Sequence, residues 1–413
     1  MSGTLIYNIG KLVGILPAHV NSLKGVQMRE LEMLDNAWLL LEDGRIADFG
    51  VMQSVNALPR TSNSLDAKEG WIFPAFCDPH THMVFATSRE GEFVDKIKGL
   101  TYEQIAARGG GILNSAQKLQ QMDESELFEV SLQRYESAIS LGLGAIEMKS
   151  GYGLTLEDEL KILRVIRKLK EDGRAQVKAT CLALHAVPSE YKNRKSDFVA
   201  HMVHQLLPRV VNEGLADFVD VFCERNYFDI KDMLTLMEAG NKYGLPAKVH
   251  VNQFNSFGAV GAAVEAGAMS VDHLEVMERA DFEALLSGNT MPTVLPGCSF
   301  YLRIPYAPAR RLIDVGLPLA IASDFNPGSS PSFNPEFNMS LACIQQRLMP
   351  EEALNAATIN AAAAMGLGNE LGSITKGKRA NIFITRPLPS LAYLPYSFGE
   401  KLVKKVILNG KEV

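Results

Sequence analysis

From Ile72 onward, short apolar runs alternate with longer amphipathic stretches, and this alternation leaves few architectures open. The runs cover residues 72–77, 145–148, 177–184, 218–223, 247–251, 270–272, 290–295 and 319–322. Between most of them lie helical patterns, at 125–140, 156–170, 198–212, 230–243, 258–266, 280–286 and 309–315. Their apolar residues recur at threes and fours, as in Leu160, Leu163, Ile166 and Leu169, which puts one stripe toward a core. Eight strands separated by helices predict an α/β fold, a (β/α)8 TIM-type barrel. Two more helices are expected at 335–346 and 350–365.

The two ends of the chain read differently. Residues 1–71 are β-rich, with the runs 37–41 and 46–49 separated by a stretch containing Asp43-Gly44, a strong hairpin signal. After Gly372 the pattern is again β-like at 380–384 and 405–408, the latter leading into Asn409-Gly410. Residues 1–71 and 373–413 are therefore expected to pair into a small β-sandwich flanking a barrel of residues 72–372. The glycines of 99–111 have no strand and helix framing them as a phosphate loop requires, so they read as a flexible or close-packed loop.

Barrel enzymes carry their chemistry at the C-terminal ends of the strands. Here the runs lead into His80 and His82, Lys149 to Tyr152, His185, Glu224, His250, His273 and Asp324. Five of the chain's eight histidines thus fall at strand ends, which packing alone does not explain. His80 and His82 alternate with Thr81, so in extended backbone both rings point to one side. With His250 and Asp324 they supply three nitrogens and one oxygen, a set that suits one divalent ion with room for water. His273 and Asp324 are placed to move protons, and the sum is hydrolytic chemistry. Lys149 is either a carboxylated, metal-bridging lysine or an ordinary charged residue. His201 and His204, three apart on a helix, read as a solvated face, and His19 stands alone.

A net charge of −6 and the lack of a basic block argue against nucleic acid or an anionic membrane surface as partner. No apolar run approaches the roughly 20 residues of a membrane span. The N-terminus lacks the features of a signal peptide. The five cysteines are scattered without CxxC spacing and read as buried free thiols in a reducing cytoplasm.

The stretches Asp78-Pro79-His80-Thr81-His82, His250, Asp272-His273 and Ser323-Asp324 resemble the mononuclear amidohydrolase superfamily. Longer ones, from Glu147 to Leu154, His185 to Pro188, Asp220 to Glu224 and Asp324 to Ser329, resemble the imidazolonepropionase family, and the likeness covers nearly the whole chain. The resemblance implies a metal-bearing barrel with a β-sandwich, zinc or iron on His80, His82, His250 and Asp324, and a homodimer. It implies hydrolytic opening of 4-imidazolone-5-propanoate to N-formimidoyl-L-glutamate in histidine degradation. Another amidohydrolase, such as an aminohydrolase of a nitrogen heterocycle, or a barrel without catalysis is the alternative.

Substrate contacts transfer to Arg89, Tyr152, His185, Asn326, Gly328 and Ser329. Arg89 offers a planar two-pronged partner for the propionate, unless it pairs with Glu90 or Glu92 instead. Tyr152 and His185 are expected to donate hydrogen bonds, and Asn326 to offer neutral donors. Where related chains carry an acid after the fifth-strand histidine, this one has Asn252 and Gln253. An amide cannot take a proton, so Gln253 is left a hydrogen-bonding role and proton transfer falls to His273 and Asp324.

Overall fold

The computed structural model describes residues 3–54, 58–100, 104 and 110–413. Five strands come first: β1 (Gly3–Ile15), β2 (Glu32–Glu42), β3 (Arg45–Val51), β4 (Asn63–Asp66) and β5 (Trp71–Pro74). Eight follow: β6 (Phe76–Thr81), β7 (Leu143–Lys149), β8 (Gln176–Leu184), β9 (Phe218–Cys223), β10 (Ala247–Val251), β11 (Ser270–His273), β12 (Met291–Val294) and β13 (Ala320–Ile321). The last three are β14 (Ile382–Thr385), β15 (Val403–Leu408) and β16 (Lys411–Glu412).

Strands β6 to β13 lie side by side in chain order, every pair parallel. Just past β13 the Asp324 N–H donates to the His80 carbonyl at 3.0 Å, and the His82 N–H donates to the Phe325 carbonyl at 2.8 Å. These two bonds draw the first and last strands together, so the barrel seam passes through candidate site residues.

The terminal strands form one mixed sheet in the order β16-β15-β14-β5-β1-β2-β3, with β4 beside β1. It curls on itself: the Ile46 N–H of β3 donates to the Lys378 carbonyl at 2.9 Å, just before β14. Ile6, Ile9, Leu12, Leu39, Ile72, Ile382 and Ile407 fill the interior of this curl. The expected sandwich is thus a single folded-over sheet. Asp43 and Gly44, at φ 48° and 74°, make the β2–β3 turn; Asn409 and Gly410, at 50° and 76°, make that between β15 and β16.

Several sequence expectations need correction. The run at 72–77 is two strands in two sheets, because at Ala75 the backbone changes partners: its N–H goes to Asn381, and that of Phe76 goes to Gly142. Phe383 stacks on both Phe73 and Phe76, at 5.1 and 4.6 Å, and ties the sheets together there. The helix expected at 198–212 contains a π-helical segment, Met202–Leu206, before Pro208, whose missing N–H cannot close the ordinary turn. The helix expected at 350–365 breaks at Thr358, φ −124° and ψ −91°, where the chain at Gly372 packs against its backbone.

Helices Glu90–Ile97, Ile112–Gln121 and Pro296–Leu302 were not anticipated. In the first of these Phe93, Val94 and Ile97 are exposed, so no buried stripe marks it. Most of the loop expected at 99–111 lies outside the described residues. His204 is exposed, as expected, and so is His19, whereas His201, read as part of the same solvated face, is half-buried and stacks on Tyr191. No helix among the described residues is long and apolar enough to cross a membrane.

Candidate active site

Strand ends aim the site, and several use backbone that L-residues rarely adopt. Asn252, His273, Leu274 and Asp324 have φ of 56°, 90°, 68° and 54°. Left-handed non-glycine residues cost on the order of 1–3 kcal/mol each and persist where the surroundings hold them. Clustered at the mouths of β10, β11 and β13, they turn His273 and Asp324 toward a common centre.

Ligand atoms of His80, His82 and Asp324 lie within 4.8 Å of one another, and so do those of His80, His250 and His273. Asp324 Oδ1 is 3.5 Å from Nε2 of both His80 and His82. His80 Nδ1 is 2.7 Å from Asp272 Oδ2, which fixes the proton on Nδ1. Its Nε2 is buried without a hydrogen-bond partner, a lone pair facing the centre. His250 Nδ1 stands 2.9 Å from Asp220 Oδ2, close but poorly aligned for a hydrogen bond. Burial and nearby Lys149 hold His80 well below the usual histidine range, and burial takes His250 to about 4. Burial opposes ionisation of Asp324, yet the hydrogen bond with His82 and the charge of His273 hold it at about 2.

His273 differs from these. Burial opposes its protonation, but Glu275 beside it, with Oε1 3.4 Å from Nδ1, outweighs that and lifts it to about 9. Gln253 is buried and donates to Cys298 Sγ at 3.4 Å, whereas the Asn252 amide is bonded away from the centre to Asp281.

Beneath the histidines lies a fully buried charged layer. Lys149 Nζ is 2.6 Å from Glu147, 2.8 Å from Asp220 and 3.8 Å from Asp272. Lys248 pairs with Glu147 and donates to the Pro79 carbonyl at 2.7 Å. Three carboxylates thus face two ammonium groups. Lys149 is an ordinary cation, since a carboxylated lysine would add a further negative charge to this layer. It grips Asp220 and approaches Asp272, the carboxylates that face His250 and His80.

A cavity of about 380 Å³ rises from the histidines, and Arg89, Lys96, Tyr152, His185 and Gly328 stand along it. Arg89 lines it and also pairs with Glu92 through Nε at 2.8 Å and through Nη2, the ion pair that the sequence offered as its alternative. A Cβ on Gly328 would lie 2.3 Å from Arg89 Nη1, so any side chain there would push the guanidinium out of this position. Lys96 reaches the same wall, donating to the Gly328 carbonyl at 3.2 Å, and burial and Arg89 lower its pKa. Tyr152 is buried edge-on to His82 and His185. The loop bearing it is gathered by Glu159, which accepts from the N–H groups of Gly151, Gly153 and Leu154.

Two contacts differ in kind from their sequence reading. His185 donates from Nδ1 to the Gly151 carbonyl at 2.8 Å, and burial keeps it neutral, near 3. Its Nε2 therefore accepts rather than donates. Asn326 donates to the Asp324 carbonyl and Ser329 Oγ, and accepts from the N–H groups of Gly328 and Ser329. That uses its full hydrogen-bonding capacity. It shapes the loop instead of offering donors to a ligand. Ser329 Oγ in turn reaches Asp324 Oδ2 at 3.3 Å.

The structure brings eleven of the twelve sequence-chosen residues to this cavity, and His80 lies buried just beneath it, its Nε2 3.5 Å from Asp324. The fold places Asp272 and Asp220, quoted in sequence only within family-like stretches, beside His80 and His250, and adds Glu275 beside His273 and Lys96 on the wall. Glu275 lies two residues after His273, the signal that could have found it. A metal-dependent hydrolytic centre is what this arrangement can support.

The amidohydrolase family model matches residues 71–413. An imidazolonepropionase of Christiangramia forsetii is 50% identical over 407 residues, covering 98% of this chain and 99% of the relative. One from Alkaliphilus metalliredigens is 36% identical over 416 residues, covering 100% and 98%. Guanine deaminase of E. coli superposes with a TM-score of 0.76 at 14% identity, covering 100% of this chain and 99% of that one. An adenosine deaminase from Xanthomonas campestris with bound zinc gives 0.71 at 13% identity, covering 100% and 92%. At such identities the likeness is one of fold.

Proposed function

The chain belongs to the amidohydrolase family and groups within it with the imidazolonepropionases, and from that premise we propose how it opens 4-imidazolone-5-propanoate to N-formimidoyl-L-glutamate. The observation that carries the reading is one cavity with two unlike ends. Histidines and Asp324 form its floor, and Arg89 and Lys96 provide positive charge on its wall. A neutral heterocycle with an anionic tail matches both.

His80, His82, His250 and Asp324 are the residues we assign to one divalent ion, zinc or iron. The unpartnered Nε2 of His80, and Nδ1 atoms turned toward Asp272 and Asp220, fit them for it. When bound, the ion supplies Lewis acidity and makes water nucleophilic near neutral pH. Water adds to the ring carbonyl carbon, the carbon–nitrogen bond breaks, and the departing nitrogen takes a proton. Asp324, ionised at rest, accepts the proton from water. His273, backed by Glu275, orients the water or relays the proton. Gln253 contributes hydrogen bonding alone. His185 Nε2 accepts from a ring N–H, Tyr152 donates its hydroxyl, and the loop of Asn326, Gly328 and Ser329 closes the wall around Arg89. A homodimer in the cytoplasm completes the reading, and light scattering on a sizing column measures the assembly.

The test is loss of the imidazolone ultraviolet absorbance with formation of formimidoylglutamate and no ammonia. Ammonia released from other nitrogen heterocycles, with the imidazolone left intact, would make the chain an aminohydrolase instead.

Two further outcomes are expected. Asp272→Asn, which weakens the carboxylate behind His80, reduces metal affinity by about 10- to 100-fold, read by competition with a chelator. Arg89→Met removes a charge-assisted hydrogen bond of about 1.5–3 kcal/mol and lowers kcat/KM by roughly 10- to 150-fold. Because that change also strands Glu92, the pair Arg89→Met with Glu92→Gln is measured beside it. An imidazolone lacking the carboxylate should show little of this loss; equal losses on both substrates would give Arg89 a purely structural role.

A further inference from the structure

Beside the catalytic floor lies a second group of metal-ligating side chains, His273, Glu275 and Cys298. One ligand atom from each lies within 4.8 Å of the others, and all three residues are buried. They come from neighbouring strand ends: His273 closes β11, Glu275 follows it, and Cys298 sits in the first turn of helix Pro296–Leu302 after β12. The left-handed backbone at His273 and Leu274 brings the imidazole and the Glu275 carboxylate together on the side where Cys298 waits. Glu275 Oε1 accepts from Ser299 Oγ at 3.0 Å, but Oε2 is buried with no hydrogen-bond partner. An unpartnered carboxylate oxygen in a buried site is a position that a cation would satisfy.

We propose that His273, Glu275 and Cys298 form a second, inhibitory metal site for a thiophilic divalent ion of the zinc and cadmium class. One nitrogen, one oxygen and one sulfur suit such an ion and not magnesium or calcium, which take oxygen alone. Tetrahedral bonds of about 2.0–2.3 Å need ligand atoms roughly 3.5 Å apart, so small side-chain shifts suffice. The cavity reaches His273 and Gln253, and the Gln253 amide on Cys298 Sγ is the group an entering ion displaces. The ion binds Cys298 as thiolate, displacing the thiol proton to solvent. The site shares no ligand with the four residues assigned to the catalytic ion, a set that contains no sulfur, but it takes in His273. Occupancy is independent of the function proposed above; the inhibition rests on that reading, because the ion engages His273.

The experiment titrates cadmium into the zinc-loaded enzyme while following near-ultraviolet thiolate-to-cadmium absorbance and the rate of imidazolone loss. Wild type should bind one further cadmium per chain with a saturable sulfur band and lose about 10²-fold or more in rate, as expected when acid–base work at His273 is blocked. Cys298→Ser and Cys298→Ala should lose the band and retain the same rate with and without cadmium; zinc content and a thermal melt show that each is folded. No band in wild type, or a band that survives both substitutions, overturns the site. A band with undiminished turnover overturns the inhibition, and with it the role given to His273.

Discussion

His250→Ala should leave a folded barrel that binds no metal and opens no imidazolone ring. His250 ends β10 inside a parallel ladder with β9 and β11, and those backbone bonds do not depend on its imidazole. The side chain removed is one of the three nitrogens we assign to the ion, and its Nδ1 faces Asp220. Truncation therefore takes a ligand from the floor and leaves a buried carboxylate with Lys149 as its remaining charge partner. Losing a buried partner costs about 1–3 kcal/mol in stability, a modest fall in melting temperature beside a total loss of turnover. Metal analysis, the ultraviolet assay and a melt on one preparation separate the two effects. Full activity in metal-free protein would end the proposal for this centre.

What made the floor legible in the sequence was punctuation. Each barrel strand is a short apolar run, and the first polar residues after it must stand at the mouth of the barrel, so His80, His82, His185, His250, His273 and Asp324 could be placed together without knowing a single distance. The layer beneath was not legible in the same way. Glu147, Asp220 and Lys248 lie inside strands at alternate positions, where a lone polar residue carries no label. Only the folded barrel shows Asp272 beside His80 rather than beside His250, its register partner. The direction of hydrogen bonds was hidden as well. That His185 accepts depends on the Gly151 carbonyl, 34 residues away in the chain. Arg89 was read for its charge with Glu92 as an alternative partner, but the sequence could not show that the pair lies against the cavity, on a helix whose apolar residues Phe93, Val94 and Ile97 stay exposed. The boundary at Ala75 was missed because two strands that belong to different sheets share one apolar run.

Proton transfer is where sequence and structure together make the sharpest claim. Asn252 and Gln253 occupy positions from which a carboxylate could have served as base. The structure turns the Asn252 amide toward Asp281 and leaves Gln253 at the cavity. Neither amide can take a proton, so we assign the traffic to Asp324 and His273. Asp324 is held ionised, and His273 is held in favour of its protonated form by Glu275, so one accepts and the other keeps a proton to give. Positioned acid–base groups are worth about 10²–10⁴-fold, and His273→Asn should lower kcat by that much while metal content stays at the wild-type level. Gln253→Ala should lower it only about tenfold, the worth of one neutral hydrogen bond. Folding stability adds a sign that the rate alone lacks. The pKa of His273 is raised above its unfolded value, so its contribution to stability is complete below about pH 6.5 and lost as pH rises through about 9. In metal-free protein, where no ion competes for the ring, Glu275→Gln should flatten that limb of the stability–pH curve. A larger loss of kcat in Gln253→Ala than in His273→Asn would move the acid–base work away from His273.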